Sequence, residues 1–314
     1  MTESALFKPI QENAELSDVS KRNYRNLLNA LQNKADDVAV DVIILDPKKY
    51  VPMLKKWYPK PASLKSSFVA LLALFRYNPS FKEKHAKVYD AWKKAFEDAK
   101  AAVEQRYEEN APSERQEEGY VPYEEIVRVR DSLPVGSVDR LLLDMYTHLK
   151  PMRCEYARIA LYRGKVGAEP NYILLRGKQH GTLVIQQYKT KNTHGKQEFD
   201  LPPEIMTDLH KSLEEYPREW LFVNTKHEPY SRNLYVQWTM RVFQKLFGKP
   251  LSVALIRHSY INTLDFNTLT IKDKKAIATS MGHEISTQDR YRLIFTDKEA
   301  KCDCECTKHV AEKK

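Results

Sequence analysis

From Leu16 to about Asn110 the pattern of apolar residues is helical throughout, and this constrains the fold more than any other feature. Residues that are apolar at helical spacing lose contact with water only by packing helix against helix. SKRNYRNLLNALQN opens with an N-cap at Ser20, and SLKSSFVALLALFRY starts near Ser63. The stretch from Phe81 to Asn110 is long and charged, with Val88, Trp92, Phe96, Ala99 and Val103 on one stripe. The expectation is an all-helical domain of four or five helices.

The rest of the chain differs in kind. ENAPSERQEEGYVP, Glu109 to Pro122, mixes Pro, Gly, Ser and charges, and reads as an interdomain linker. After it come helices in YEEIVRVRDSL and VDRLLLDMYTHL. EYARIALY and NYILLRG lead into a region of strand character, and TLVIQQYKT and KQEFDLPP flank KNTHG as a hairpin. Helical patterns return in PPEIMTDLHKSLEEY, SRNLYVQWTMRVFQKLFG (closed by Gly248), LSVALIRHSYINTL and IKDKKAIATSMGH. The fold class is mainly α with a small β-sheet (α+β). With 314 residues, 42% of them hydrophobic, there is material for two cores. The expected division is a flexible arm at 1–14, a helical domain at 15–110, a linker at 111–122, a mixed α/β domain at 123–295 and a tail at 296–314.

The formal net charge of +9 favours a polyanionic partner, because each neutralised phosphate releases counterions. No signal peptide and no apolar run of about 18 residues stands out, so the expectation is a soluble protein with no membrane partner and no assigned compartment. Three of the four Cys, at 302, 304 and 306, crowd into KCDCECTKH with His309. That spacing is open to a soft metal, but it lacks the C-x-x-C of a structural zinc site. No metal and no cofactor is assigned, and the stretch is read as a mobile tail.

Arg257 and His258 interrupt the apolar helix face of LIRHSYINTL, which carries Leu255, Ile256, Tyr260, Ile261 and Leu264. Read with MGHEISTQDRYRL, with Arg153 expected on a helix in HLKPMRCEY and with Lys189 expected on a hairpin strand in QQYKTKN, where Lys191 would share its face, the order is Arg, Lys, Arg, His, Tyr. That order resembles the tyrosine recombinase and phage integrase family, over roughly Tyr123 to Phe295. It is most similar to the divergent branch found in large DNA viruses, virophages and eukaryotic mobile elements. The resemblance implies a catalytic domain at 123–295, a core-binding DNA domain at 15–110, and a clamp of both around duplex DNA. It implies that Tyr291 attacks a scissile phosphate and forms a 3′-phosphotyrosyl link, with no metal or nucleotide required. Arg153 and Arg257 would clamp the phosphate oxygens, and the helix would serve as the rigid mount that aims Arg257. His283 would bond a phosphate oxygen or assist the nucleophile. Lys189 would protonate the leaving 5′-oxygen. Lys191, two residues on, is left open by spacing; the resemblance favours Lys189.

Departures from the family pattern are visible as well. Ala254 stands where the family often has His, and Tyr156 where it usually has an acid, with Glu155 one place earlier. The partners implied are double-stranded DNA bearing recombination sites and further copies of the chain, as a tetramer on DNA with a dimer per site. The basic, aromatic stretches LKKWYPKP and SKRNYRN are candidates for phosphate contact. Rival readings are DNA relaxation of the type IB topoisomerase kind and a DNA-binding relative that has lost catalysis, for which Ala254 is the best support.

Overall fold

Ser17 caps the first long helix, Asp18–Lys34; the expected cap, Ser20, lies inside it and donates its backbone N–H to Ser17 Oγ at 3.2 Å. The structure is a computed structural model that describes residues 4–295. Contacts within the chain divide it into two units, one to Glu109 and one from Asn110.

In the first unit three further long helices follow: Pro47–Trp57, Pro61–Arg76 and Ala86–Glu108. Pro61–Arg76 is apolar on most of its circumference and buries Leu64, Phe68, Leu71, Leu74 and Phe75, so it takes the centre of the bundle. Trp92, Ala99 and Val103 of the expected stripe are buried, with Val88 and Phe96 packed half-buried beside them. The Trp92 indole N–H would be stranded in that core, and it donates to the Ile44 carbonyl at 2.8 Å. Phe81 begins no continuous helix: Pro79–Lys84 forms its own short one, and the chain breaks at His85.

The arm expected to be loose at 1–14 is helical over Lys8–Glu12, and it buries Phe7 and Ile10. Asn78 Nδ2 donates to the Leu6 carbonyl at 2.9 Å and ties that segment down. Two apolar side chains in so short a window carry no periodicity, which is why the pattern is silent there.

The second unit is built on a four-stranded sheet in the order β1 (Ala160–Arg163), β2 (Tyr172–Arg176), β3 (His180–Ile185), β4 (Gln197–Asp200). β1 runs parallel to β2; the other pairs are antiparallel, so the expected hairpin is β3–β4. Residues of the run REWLF extend the β1 edge, with Leu161 N–H donating to Glu219 O and Leu221 N–H to Ile159 O. Helices Tyr123–Ser132, Val138–Thr147, Pro203–Glu215 and Arg232–Phe247 surround a core that includes Leu142, Tyr146, Ile173, Leu183, Leu209, Phe222, Tyr235 and Phe243. Gly248 ends the last of these in a left-handed conformation, as read from the sequence. Helices Val253–Asn262 and Ile271–Ser280 follow, then a short helix, Ile285–Gln288, and a 3₁₀ turn, Asp289–Tyr291. A satellite cluster of Ile261, Ile277 and Met281, with Tyr260, Leu264 and Tyr291 against it, joins these last elements. The chain is thus α+β, mainly helical with one small mixed sheet.

The segment expected to be a linker is structured. Glu114–Gly119 is a helix, and it packs tightly within the second unit. A Cβ at Gly119 would lie 2.6 Å from the Pro250 carbonyl oxygen and 2.8 Å from Leu255 Cδ1, so only glycine fits. The tail from residue 296, with Cys302, Cys304, Cys306 and His309, lies outside the described residues. Among the described residues no cluster of His, Cys, Asp or Glu could hold a metal ion, and no helix is long and apolar enough to cross a membrane.

Candidate active site

Arg257 sits mid-helix at 1% exposure, and no carboxylate lies within ion-pair distance of it among the described residues. Its Nη1 donates to the carbonyls of Pro151 at 2.7 Å and Met281 at 2.9 Å. Met281 closes the C-terminal end of helix Ile271–Ser280, where the helix dipole favours a cation. Nη2 contacts His283 Nδ1 at 2.9 Å. A guanidinium has five N–H groups, and these contacts use three of them. The two that remain include Nε–H, which is buried and has no partner. Burial lowers the Arg257 pKa from its ordinary value; Arg153 adds to the lowering and Tyr291 opposes it.

His283 owes its place to the way its helix ends. Gly282 is left-handed at φ 67°, the Gly282 N–H donates to Thr279 O, and the His283 N–H donates to Ala278 O. This pair of bonds is the Schellman arrangement, and it turns the chain so that His283 enters the site immediately after the helix. A guanidinium only donates, so His283 Nδ1 must be the acceptor and the ring proton must sit on Nε2. That Nε2 is buried and has no partner. Burial first, then Arg257, Arg153 and His194, push the His283 pKa down to about 3, so the ring is neutral at ordinary pH. Its second edge is therefore a buried N–H donor without an acceptor.

Tyr291 is half-buried between these groups. Its ring centroid lies 5.1 Å from that of His283, in a stacked arrangement, and 4.8 Å from Arg257 Cζ. Arg153, expected on a helix, lies instead in the loop after Val138–Thr147, held by Nη1 donating to Gly282 O at 2.6 Å. Pro151 two residues before it removes the N–H that a helix would need. Arg153, Arg257, His283 and Tyr291 are thus brought together from four separate elements.

Lys189 and Lys191, expected on one face of a strand, lie beyond it, because β3 ends at Ile185. The Asn171 side chain causes the exit: its Oδ1 accepts from the N–H groups of Gln186 and Gln187, and its Nδ2 donates to Gln187 O. Lys191 opens a helical turn, Lys191–His194, and its Nζ donates to Gln187 Oε1 at 2.8 Å. Lys189 is exposed and has no hydrogen-bond or ion-pair partner among the described residues. Thr190 beside it donates to Gly282 O at 2.9 Å, the same carbonyl that Arg153 grips. The loop that carries Lys189 is thereby pinned to the turn that carries His283.

No family model matches the sequence, and no curated protein matches it. Solved structures do. A lambda integrase dimer bound to a COC' core site superposes with a TM-score of 0.56 at 16% identity, covering 95% of this chain and 95% of that one. The Tn1549 transposon integrase in complex with transposon right end DNA gives 0.51 at 14% identity, over 93% and 94% of the two chains. A lambda integrase tetramer bound to a Holliday junction gives 0.52 at 16%, over 93% and 77%. The fold is that of the tyrosine recombinases. On this recombinase fold Ala254 is exposed, one helical turn before Arg257. Three polar residues do not stand out in the sequence: Thr190, Gln116, whose amide meets the His258 ring, and Asn262, which bonds the Leu293 main chain. Each is a common polar type, distinguished only by the backbone group or side chain that it reaches. Thr190 is adjacent to a candidate, which is the sole signal that points to it.

Proposed function

We propose that the protein is a site-specific DNA recombinase of the integrase type, which cuts and rejoins DNA strands through a 3′-phosphotyrosyl intermediate. The observation that carries this reading is the convergence of Arg153, Arg257, His283 and Tyr291, with donors on Arg257 and His283 left unmatched. Two guanidiniums without a carboxylate, an unpartnered Arg257 Nε–H and an unpartnered His283 Nε2–H suit a group with several anionic oxygens. Tyr291 Oη bonds to phosphorus, the bond from phosphorus to the 5′-oxygen breaks, and the phenolic proton passes to solvent. Lys189 supplies a proton to the leaving 5′-oxygen. It is favoured over Lys191, whose ammonium is engaged with Gln187. A second 5′-hydroxyl then reverses the step and frees the tyrosine. His283, with its proton on Nε2, donates to a phosphate oxygen; it is not set up to take the phenolic proton.

The partner is double-stranded DNA with recombination sites. Lys55 and Lys56 on helix Pro47–Trp57 are exposed and suited to its phosphates. The lambda integrase structures hold dimers and tetramers on DNA, which supports a tetramer with a dimer at each site here. The division of labour follows: residues 15–110 grip DNA, and 123–295 carry the chemistry. The test uses nicked suicide duplexes drawn from DNA flanking the gene. After denaturation, a protein–DNA adduct that forms with the natural chain and not with Tyr291→Phe supports the reading. Relaxation of site-free supercoiled plasmid by the monomer would favour a topoisomerase. Tight, salt-sensitive DNA binding without any adduct would favour an inactive relative, with Ala254→His as the variant to restore it.

A further inference from the structure

Two histidines flank the Tyr291 ring, and the mechanism uses only one. His258 follows Arg257 in the same helix, and its ring lies 4.8 Å from that of Tyr291. Its Nδ1 is 2.6 Å from the Tyr291 main-chain oxygen, which can only accept, so Nδ1 carries the proton. Its Nε2 is 3.2 Å from Gln116 Nε2. The Gln116 amide is fixed independently: its Oε1 accepts from both the N–H and the hydroxyl of Ser113, each at 2.9 Å. Its NH₂ must then face His258, and it needs the lone pair that a proton on Nδ1 leaves on Nε2. Both ends of the chain of bonds dictate one tautomer.

Further bonds run the same way. Asn262, one turn beyond His258, donates to Leu293 O at 2.9 Å and accepts from Leu293 N–H at 2.9 Å. The Asn110 amide meets the carbonyls of Arg292 and Asp289, which only accept, so its nitrogen is assigned to that side on chemical grounds, at 3.0 and 2.7 Å, and Ile294 N–H donates to the Asn110 main-chain oxygen. The Tyr120 ring packs on Phe295, 4.4 Å between centroids. These anchors of the tyrosine segment come from residues 110–120 and from the helix that carries Arg257.

Building on the recombinase reading, we propose that Gln116 and His258 are positioning residues for the nucleophile, and that the segment 110–120 is a clasp that sets where Tyr291 lies. Arg257 and His258 are neighbours on one rigid helix. One aims at the phosphate and the other holds the tyrosine backbone, so a single element fixes the distance between the attacking oxygen and its target. Neither Gln116 nor His258 touches the reacting atoms.

The test pairs chemistry with a readout that needs none. With the full chain and a nicked suicide duplex, His258→Leu is expected to slow adduct formation by about 10²-fold and Gln116→Leu by about 10-fold, the scale that misplacing a reacting group by an ångström produces. His258→Asn places an amide N–H where Nδ1 stood, and it should restore the rate to within about 3-fold of the natural chain. DNA affinity should stay unchanged in all three. Amide hydrogen exchange across residues 289–294 should speed up in His258→Leu and recover in His258→Asn. Natural rates in both leucine variants, or equal losses in His258→Leu and His258→Asn, would overturn the proposal. If the natural chain forms no Tyr291-dependent adduct, the recombinase reading fails. The exchange experiment still decides on the clasp, since unchanged protection in His258→Leu removes it.

Discussion

The second unit holds two pairs of arginines, each with one buried and one half-buried member, and the pairs are built in opposite ways. Arg130 and Arg140 are enclosed by acids. Arg130 donates from Nε and Nη2 to Asp131 Oδ1, Arg140 Nε donates to Asp208 Oδ2 at 3.0 Å, and Asp144 lies 3.7 Å from Arg130 Nε. Arg153 and Arg257 have no acid within ion-pair distance among the described residues; carbonyls and a neutral imidazole hold them. Removing a charge from water is unfavourable unless a partner offsets it. The first cluster finds its counter-charge within the fold. The second keeps its charge uncompensated, and the phosphate of a substrate is the counter-charge proposed for it. The same side chain is a structural element in one place and the proposed binding element in the other, and the difference lies in which acids are near.

That contrast breaks most visibly under mutation. Asp208→Ala takes the acid from Arg140, which keeps only its carbonyl partners, and leaves the Gly136 N–H unpaired; it should cost about 3 kcal/mol in urea unfolding, while the folded fraction keeps its cleavage rate. Arg257→Met should do the reverse. Adduct formation falls by roughly 10²–10³-fold in single-turnover assays, with the protein still folded and still bound to DNA. Equal losses of stability in both variants would erase the distinction.

Titration sharpens it further, since the clusters respond to pH with opposite signs. Burial, then Asp208, raise the Asp144 pKa from 3.8 to about 7. An acid raised on folding contributes its stability below the unfolded value and loses it as pH rises through about 7. His283 is depressed from 6.5 to about 3, so its contribution is present above 6.5 and is lost as pH falls toward 3. Between pH 4 and 6.5 the two contributions oppose each other, so removing one exposes the other: with rising pH, urea midpoints should rise more in Asp144→Asn than in the natural chain and rise less, or fall, in His283→Gln. The smallest expected effect is binding of a free anion. Inorganic phosphate at ten times its dissociation constant should stabilise the natural chain by roughly 1.4 kcal/mol and Arg257→Met by almost nothing, read as a shift in thermal midpoint.

Much of this architecture is legible in the sequence because it is periodic or punctuated. The stripe through Trp92, the hairpin of β3 and β4 and the stop at Gly248 each rest on a local rule. The Arg257 helix is equally plain. Features that depend on a distant backbone atom are not. The sequence pattern puts Arg153 on a helix, whereas Pro151 and the Gly282 carbonyl set a loop; it puts Lys189 on a strand that Asn171 ends early. The stretch 111–122 reads as a linker from its Pro, Gly and charges. Its composition carries no sign that Gly119 packs against Pro250 or that Gln116 reaches His258. Composition reports how willing a segment is to turn; what it then touches is decided by residues far along the chain.

The central claim is that Tyr291 becomes covalently joined to DNA, and the most direct measurement is the mass of the joined peptide. The adduct from a nicked suicide duplex is trimmed with nuclease, digested with protease and analysed by mass spectrometry. The account predicts a nucleotide linked through its 3′-phosphate to the peptide containing Tyr291, absent when Tyr291→Phe is used. A link on any other residue, a link through a 5′-phosphate, or an adduct that persists in Tyr291→Phe would contradict it.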